Sequence, residues 1–160
     1  QRIQQRQLNH QITQSTNRGD NDIALYIRHL FAIATTEYQI RSNLDAISHA
    51  TCGMAIDIGA KAIVVSSLSG RTVRMVSRFR SPVDILGVTT SEKTFRKLAL
   101  SWGVTPVLCE PLNSTDVLFY RAKQLAKEAF DLRCGDLIVV TGGITNGHSG
   151  NTDLIKVEKI

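Results

Sequence analysis

Four short apolar runs, separated by segments of helix length, constrain the fold of this chain more than any other feature of its sequence. The runs cover residues 62–65, 84–89, 104–108 and 136–140. Strands that are apolar on both faces are typical of a sheet covered on both sides, and helical crossovers make consecutive strands parallel. The sequence therefore predicts a parallel α/β domain.

The segments around these runs carry apolar residues at helical spacing. The spacing of Phe95, Leu98, Ala99 and Trp102 predicts a helix over residues 92–102 whose end buries the indole. Further helices are predicted over residues 23–38, 44–58, 72–79 and 115–130, the second of them with Leu44, Ile47, Thr51, Ala55 and Ile58 on its inner face.

The last apolar run, residues 154–157, differs from the others because no helix separates it from the fourth strand. A strand that returns without a crossover pairs antiparallel with its neighbour. The predicted fold class is therefore a three-layer α/β/α domain with a five-stranded mixed sheet, four strands parallel and one antiparallel.

Charge and composition limit the classes of partner that this chain is expected to bind. The net charge is +5, which attracts anions, but no basic run of five residues occurs and no aromatic residues are interleaved with the basic ones. No apolar stretch approaches the roughly 20 residues that cross a bilayer. We expect neither nucleic acid nor a membrane as partner. The three cysteines have no paired spacing, which favours a cytoplasmic protein with reduced thiols.

Two polar loops that contain glycine follow the first and the fourth predicted strands. Because the carboxyl ends of parallel strands share one edge of the sheet, we expect these loops to meet. A phosphate group can bind to hydroxyl groups, to amides at a helix N-terminus and to an arginine, and these loops contain all three. An ordinary turn that caps a helix has the same composition. The candidate phosphate-binding residues are Ser67, Ser69, Gly70, Arg71 and Thr72 in the first loop and Gly147, Ser149, Gly150 and Thr152 in the second.

The sequence offers no convincing catalytic centre. Its acids are scattered singly, no nucleophile has a visible base, and the histidines lack the spacing of zinc ligands. We therefore expect no catalytic residue, metal or cofactor in this chain.

The order of several segments resembles the C-terminal domain of pyruvate kinase, in its bacterial form most closely. The similarity spans about residues 43–160, and residues 23–37 more weakly resemble the last helix of that enzyme's catalytic barrel. The resemblance divides the chain into an N-terminal tail and helix, residues 1–42, and the C-terminal α/β domain, residues 43–160. The segments that carry it are residues 45–51, 59–64, 69–72, 75–80, 101–104, 113–116, 135–139 and 147–152.

The resemblance also implies a function. Pyruvate kinases are glycolytic enzymes that transfer phosphate from phosphoenolpyruvate to ADP, with magnesium and potassium, in a barrel domain that the resemblance does not include. Their C-terminal domain is regulatory, contacts the catalytic domain and other subunits of a tetramer, and often binds a sugar phosphate or AMP. The effector-binding residues of the family fall on the nine loop residues named above. The chain alone is therefore expected to bind an effector and to lack activity.

The sequence also leaves a binding module of the flavodoxin type as an alternative, because its phosphate loop is likewise rich in serine, threonine and glycine. Such a domain needs aromatic residues to sandwich a flavin, and aromatic content here is 6%. Within the resemblance three positions depart from the family. Leu68 stands where some members have lysine. Asp153 stands where bacterial members typically have asparagine, and Thr145 stands where they often have proline.

Overall fold

The computed structural model describes residues 39–111, 114–143 and 152–160. The predicted helix over residues 23–38 and the tail before it lie outside the described residues, so the division of the chain at residue 42 stays a prediction. Three of the nine candidate loop residues, Gly147, Ser149 and Gly150, also lie outside them.

The described residues form one sheet with helices on both faces. The sheet order is β3-β2-β1-β4-β5; β1 to β4 are parallel and β5 is antiparallel to β4, which confirms the predicted five-stranded mixed sheet. The helices are α1 (Asn43–Asp57), α2 (Arg71–Arg78), α3 (Glu92–Leu98) and α4 (Thr115–Ala129), and the strands are β1 (Ala62–Ser66), β2 (Asp84–Thr89), β3 (Val104–Leu108), β4 (Leu137–Gly142) and β5 (Leu154–Lys159).

The central strands are buried on both faces, as their apolar runs predict. On one face, Val64 of β1 lies between Leu86 of β2 and Val140 of β4, and α4 covers these residues with Phe119 and other apolar side chains. The other face is covered by the remaining helices. An added Cβ at Gly87 of β2 would contact side chains of both α2 and α3, and α1 packs on α2, where the Cys52 thiol donates to the Val76 carbonyl at 3.7 Å.

The inner face of α1 differs from the predicted one. Thr51 and Ala55 are buried as expected, but Leu44, Ile47 and Ile58 are only half-buried. Their place is taken by small or polar residues, because α1 packs closely against α2 as well as on the sheet. The buried residues of α1 are Asp45, Ser48, Thr51, Cys52 and Ala55, and burial raises the pKa of the Cys52 thiol to about 12.

The predicted burial of Trp102 is wrong. Helix α3 ends at Leu98, four residues earlier than the spacing suggests, and Trp102 lies in the turn before β3 with 46% of its surface exposed. Gly103, with φ of 67°, redirects the chain there. The indole does not pack in the hydrophobic core. It makes a cation–π contact with Arg80, whose guanidinium lies 5.1 Å from the ring centroid. None of the described helices has the combination of length and apolar character that a membrane span requires.

The close approach of α2 and α3 to β2 can be tested at Gly87. A Cβ there would lie 3.0 Å from Val73 Cγ1 and 3.3 Å from Leu98 Cδ1, so these buried side chains would have to move by a few tenths of an ångström. We expect Gly87→Ala to lower the free energy of unfolding by about 1–3 kcal/mol in urea titrations. Gly53→Ala is the matched control, because no atom of the described residues lies within 4 Å of its added Cβ inside α1 and the variant gains about 1 kcal/mol of helix propensity. A Gly87→Ala protein as stable as its parent would contradict this packing.

Candidate functional site

The strand order places a crevice at the carboxyl ends of β1 and β4. From β1 the chain continues outward to β2 and β3, then crosses back to place β4 on the other side of β1. Ligands of open α/β sheets bind where the strand order reverses in this way, since the loops there leave in opposite directions. Both predicted loops start at this point, one after Ser66 and the other after Gly142.

The first loop is held by hydrogen bonds to neighbouring elements. The Ser67 amide donates to the Val88 carbonyl at 2.9 Å, at the end of β2. The Leu68 carbonyl accepts from the hydroxyls of Thr89 and Thr94, at 3.3 Å and 3.0 Å. These bonds fix the path of the backbone, while the Leu68 side chain is 49% exposed.

Gly70 forms the N-cap of α2 and is required there for two reasons. Its φ of 72° lies in the left-handed region, and a Cβ would be 2.8 Å from Thr94 Cγ2. Among the described residues no side chain caps the helix, and the first intrahelical bond runs from the Arg74 amide to the Gly70 carbonyl at 3.1 Å. The amides before Arg74 therefore point out of the helix end, where the helix dipole is positive.

The second loop returns to this helix end. Thr152, the first residue described after Gly143, places its hydroxyl oxygen 2.7 Å from the hydroxyl oxygen of Thr72, and both residues are buried. The two loops predicted to share an edge are thus brought together at Thr72 and Thr152. Asp153 is exposed and its amide donates to the Gly142 carbonyl at 3.2 Å.

The residues of the first loop differ in exposure. Gly70 and Thr72 are buried, Ser67 is half-buried, and Ser69 and Arg71 are exposed. A ligand at the crevice can therefore reach hydroxyl groups, a guanidinium group and the open end of α2.

Asp45 is a charged neighbour of this site that sequence reasoning missed. Its carboxylate accepts a hydrogen bond from the Arg41 amide at 3.2 Å and lies 3.6 Å from a guanidinium nitrogen of Arg78. The pKa of Asp45 is lowered, mainly because its carboxylate accepts the hydrogen bond from the Arg41 amide. Burial acts in the opposite direction and raises this pKa, while the positive charges of Arg78 and Arg71 lower it further. The sequence feature that points to Asp45 is Ser42, a helix N-cap residue three positions earlier. Its hydroxyl accepts a hydrogen bond from the Asp45 amide in the first turn of α1.

The site has the chemistry of an anion-binding crevice. Hydroxyl groups, open amides and a guanidinium can bind and orient a phosphate, but they include no paired acid and base. In the parts of the chain that the structure describes, no cluster of three histidine, cysteine or acidic residues could hold a metal ion.

The fold and this crevice define an open α/β domain with a candidate anion-binding site, and comparison with known proteins gives its family. Residues 45–158 match the family described as pyruvate kinase, alpha/beta domain. The chain therefore belongs to the pyruvate kinase family as its C-terminal α/β domain, which confirms the resemblance. Its strand order also differs from the 2-1-3-4-5 order of flavodoxin-like folds, which argues against that alternative.

Curated relatives agree with the family match. The pyruvate kinase of Clostridium acetobutylicum is 40% identical over 120 residues, which are 75% of this chain and 25% of that protein. The pyruvate kinase of Staphylococcus epidermidis is 39% identical over 74% of this chain and 20% of that protein. That of Lactobacillus delbrueckii subsp. bulgaricus is 36% identical over 78% of this chain and 21% of that protein. The chain matches about a fifth to a quarter of the length of these relatives.

The contact between the two loops can be tested by a double-mutant cycle. Thr72→Val or Thr152→Val alone leaves a buried hydroxyl without its partner, which costs about 1–3 kcal/mol of unfolding free energy. The double variant removes both hydroxyls while nearly keeping their volume, so we expect it to be less destabilised than the sum of the single variants. Urea titrations of the four proteins give the coupling energy. Strictly additive effects would contradict a direct hydrogen bond.

Proposed function

We propose that this domain is a regulatory module of a pyruvate kinase and binds a phosphorylated small molecule at the crevice between residues 67–72 and Thr152. The observation that carries the proposal is the 2.7 Å contact between the hydroxyls of Thr72 and Thr152. It brings Thr152, at the end of the second loop, to the N-terminus of α2, where open amides, hydroxyl groups and Arg71 lie together.

The charges of the crevice favour a dianion over a neutral ligand. The helix dipole and Arg71 both present positive charge, and a phosphate can accept several hydrogen bonds from amides and hydroxyls at once. Asp45 balances part of the positive charge from the α1 side, where it attracts Arg78 and Arg71. The site therefore combines cations with a fixed anion, which suits reversible binding of an effector.

The remaining parts of the proposal are inferred from membership of the pyruvate kinase family. Gly147, Ser149 and Gly150 would complete the phosphate site from the second loop. The whole enzyme would transfer phosphate from phosphoenolpyruvate to ADP in the cytoplasm, with magnesium and potassium held by its catalytic domain. The present domain would contact that catalytic domain and other subunits of a tetramer, and it would contribute binding energy but no catalytic group.

Calorimetric titration of the chain with fructose 1,6-bisphosphate, ribose 5-phosphate and AMP tests the effector site. We expect saturable binding of at least one of them, and Arg71→Gln to weaken it about tenfold or more, because a charge-assisted hydrogen bond is worth about 1.5–3 kcal/mol. Gly70→Val should abolish binding, because the side chain would occupy the space beside Thr94 and strain the left-handed backbone.

Arg96→Gln is the matched control for this titration. It removes the same charge from an exposed position on α3, where Arg96 pairs with Glu92 rather than with the crevice. Equal losses in the two arginine variants would mean that net charge, not the crevice, attracts the ligand. Failure of all three compounds to bind, or unchanged affinity in Arg71→Gln, would contradict the proposed site.

A further inference from the structure

Two threonines from other elements hold the backbone of the first loop. Thr89 is the last residue of β2, and Thr94 lies in the first turn of α3. Both are buried, and both hydroxyls donate to the carbonyl oxygen of Leu68, at 3.3 Å and 3.0 Å. This carbonyl precedes Ser69 and Gly70, so the two threonines act on the part of the loop that leads into α2.

These hydrogen bonds also determine the direction of the next amide. The peptide between Leu68 and Ser69 is trans, and the C=O and N–H groups of a planar trans peptide point in opposite directions. Its carbonyl faces Thr89 and Thr94, on the side of β2 and α3, so the Ser69 amide faces the other side. In the sheet order β4 lies on that side of β1. The Ser69 amide is therefore turned toward the crevice, and Ser69 is exposed there.

We propose that Thr94, together with Thr89, is a positioning residue of the phosphate site, which holds the Leu68 carbonyl so that the Ser69 amide donates to the bound phosphate. The inference rests on the proposed function, because it assigns to that site one of its donors and the residues that orient this donor. Both threonines act through the loop backbone rather than by contact with the ligand. The orientation exists before a phosphate binds, so binding does not have to order this peptide.

The two ends of the Thr94 side chain have separate roles. The hydroxyl holds the Leu68 carbonyl, whereas Cγ2 lies against Gly70, where an added Cβ would be only 2.8 Å away. The Thr94 amide donates to the hydroxyl of Ser91, the N-cap of α3, at 3.3 Å. Substitutions at Thr94 can therefore remove the hydroxyl or the methyl group one at a time and leave this helix cap in place.

Thr89 supports the same carbonyl more weakly. Its hydrogen bond to Leu68 is longer than that of Thr94, and its hydroxyl oxygen also accepts from the Ser91 amide at 3.3 Å. Thr89→Val would thus remove two hydrogen bonds instead of one. We expect it to weaken phosphate binding by about twofold to threefold, less than the loss of the Thr94 hydroxyl.

Calorimetric titrations of the full chain with ribose 5-phosphate, AMP, fructose 1,6-bisphosphate and inorganic phosphate test the role of Thr94. Thr94→Val keeps the methyl contact with Gly70 but lacks the hydroxyl, and we expect binding about fivefold to tenfold weaker. Thr94→Ser keeps the hydroxyl and should bind within about twofold of the parent. Thr51→Val is the matched control, because its buried hydroxyl donates to the Ile47 carbonyl at 2.7 Å within α1. Its affinity should be that of the parent.

Stability and affinity should change independently in these variants. Thr94→Ser loses a buried methyl group and Thr51→Val loses a buried hydrogen bond, so both should unfold at lower urea concentration than the parent while they keep its affinity. A purely structural role of Thr94 predicts instead that affinity falls whenever stability falls. Equal affinity losses in Thr94→Ser and Thr94→Val would therefore overturn the proposal.

Nuclear magnetic resonance observes the Ser69 amide directly, with inorganic phosphate as the probe. In the parent, the Ser69 amide proton should move downfield as phosphate is added, because it donates a hydrogen bond to an anion. At equal saturation the movement should be smaller in Thr94→Val and equal to that of the parent in Thr94→Ser. A Ser69 resonance that does not respond to phosphate in the parent would overturn the assignment of this donor.

The outcomes separate this inference from the proposed function. Suppose that the parent binds a compound and Arg71→Gln weakens binding, but Thr94→Val and Thr89→Val both bind as the parent does. The positioning role is then overturned and the effector site stands. A parent chain that binds neither the three compounds nor inorganic phosphate would overturn both.

Discussion

The hydrogen bond between Thr72 and Thr152 holds together the two sides of the proposed effector site. The strand order makes both loops begin at one edge of the sheet, after β1 and β4, but it does not by itself bring particular residues of the two loops into contact. The buried pair of hydroxyls joins residues 80 positions apart in the chain. It fixes the return of the second loop at the open end of α2, where Gly70 leaves room for the backbone to turn.

The fold could be predicted from sequence because its central strands are apolar on both faces. Burial on both sides leaves few alternatives to a covered parallel sheet, and the missing crossover before residue 154 identified the antiparallel strand. Helical spacing was a weaker guide to local packing. It does not show that Arg80 covers Trp102, nor that α1 packs so closely on α2 that polar and small residues replace Leu44 and Ile47 on its inner face.

The site was only partly predictable, because topology can be inferred from the sequence while the packing of one helix on another cannot. The rule that parallel strands end at a common edge placed residues 67–72 and Thr152 together, since it depends on topology alone. The contribution of Asp45 could not be found in this way. It lies on a helix that precedes the sheet, 26 positions before Arg71, and its link to the arginines of α2 arises from helix packing that no local pattern encodes.

The proposed effector site is continuous with strand β5. Thr152 contacts the first turn of α2, and β5 begins two residues later at Leu154, whose carbonyl accepts from the Thr141 hydroxyl at 2.8 Å. Under the proposed function, a phosphate bound at the crevice would lie beside a residue that is joined directly to the sheet through this strand.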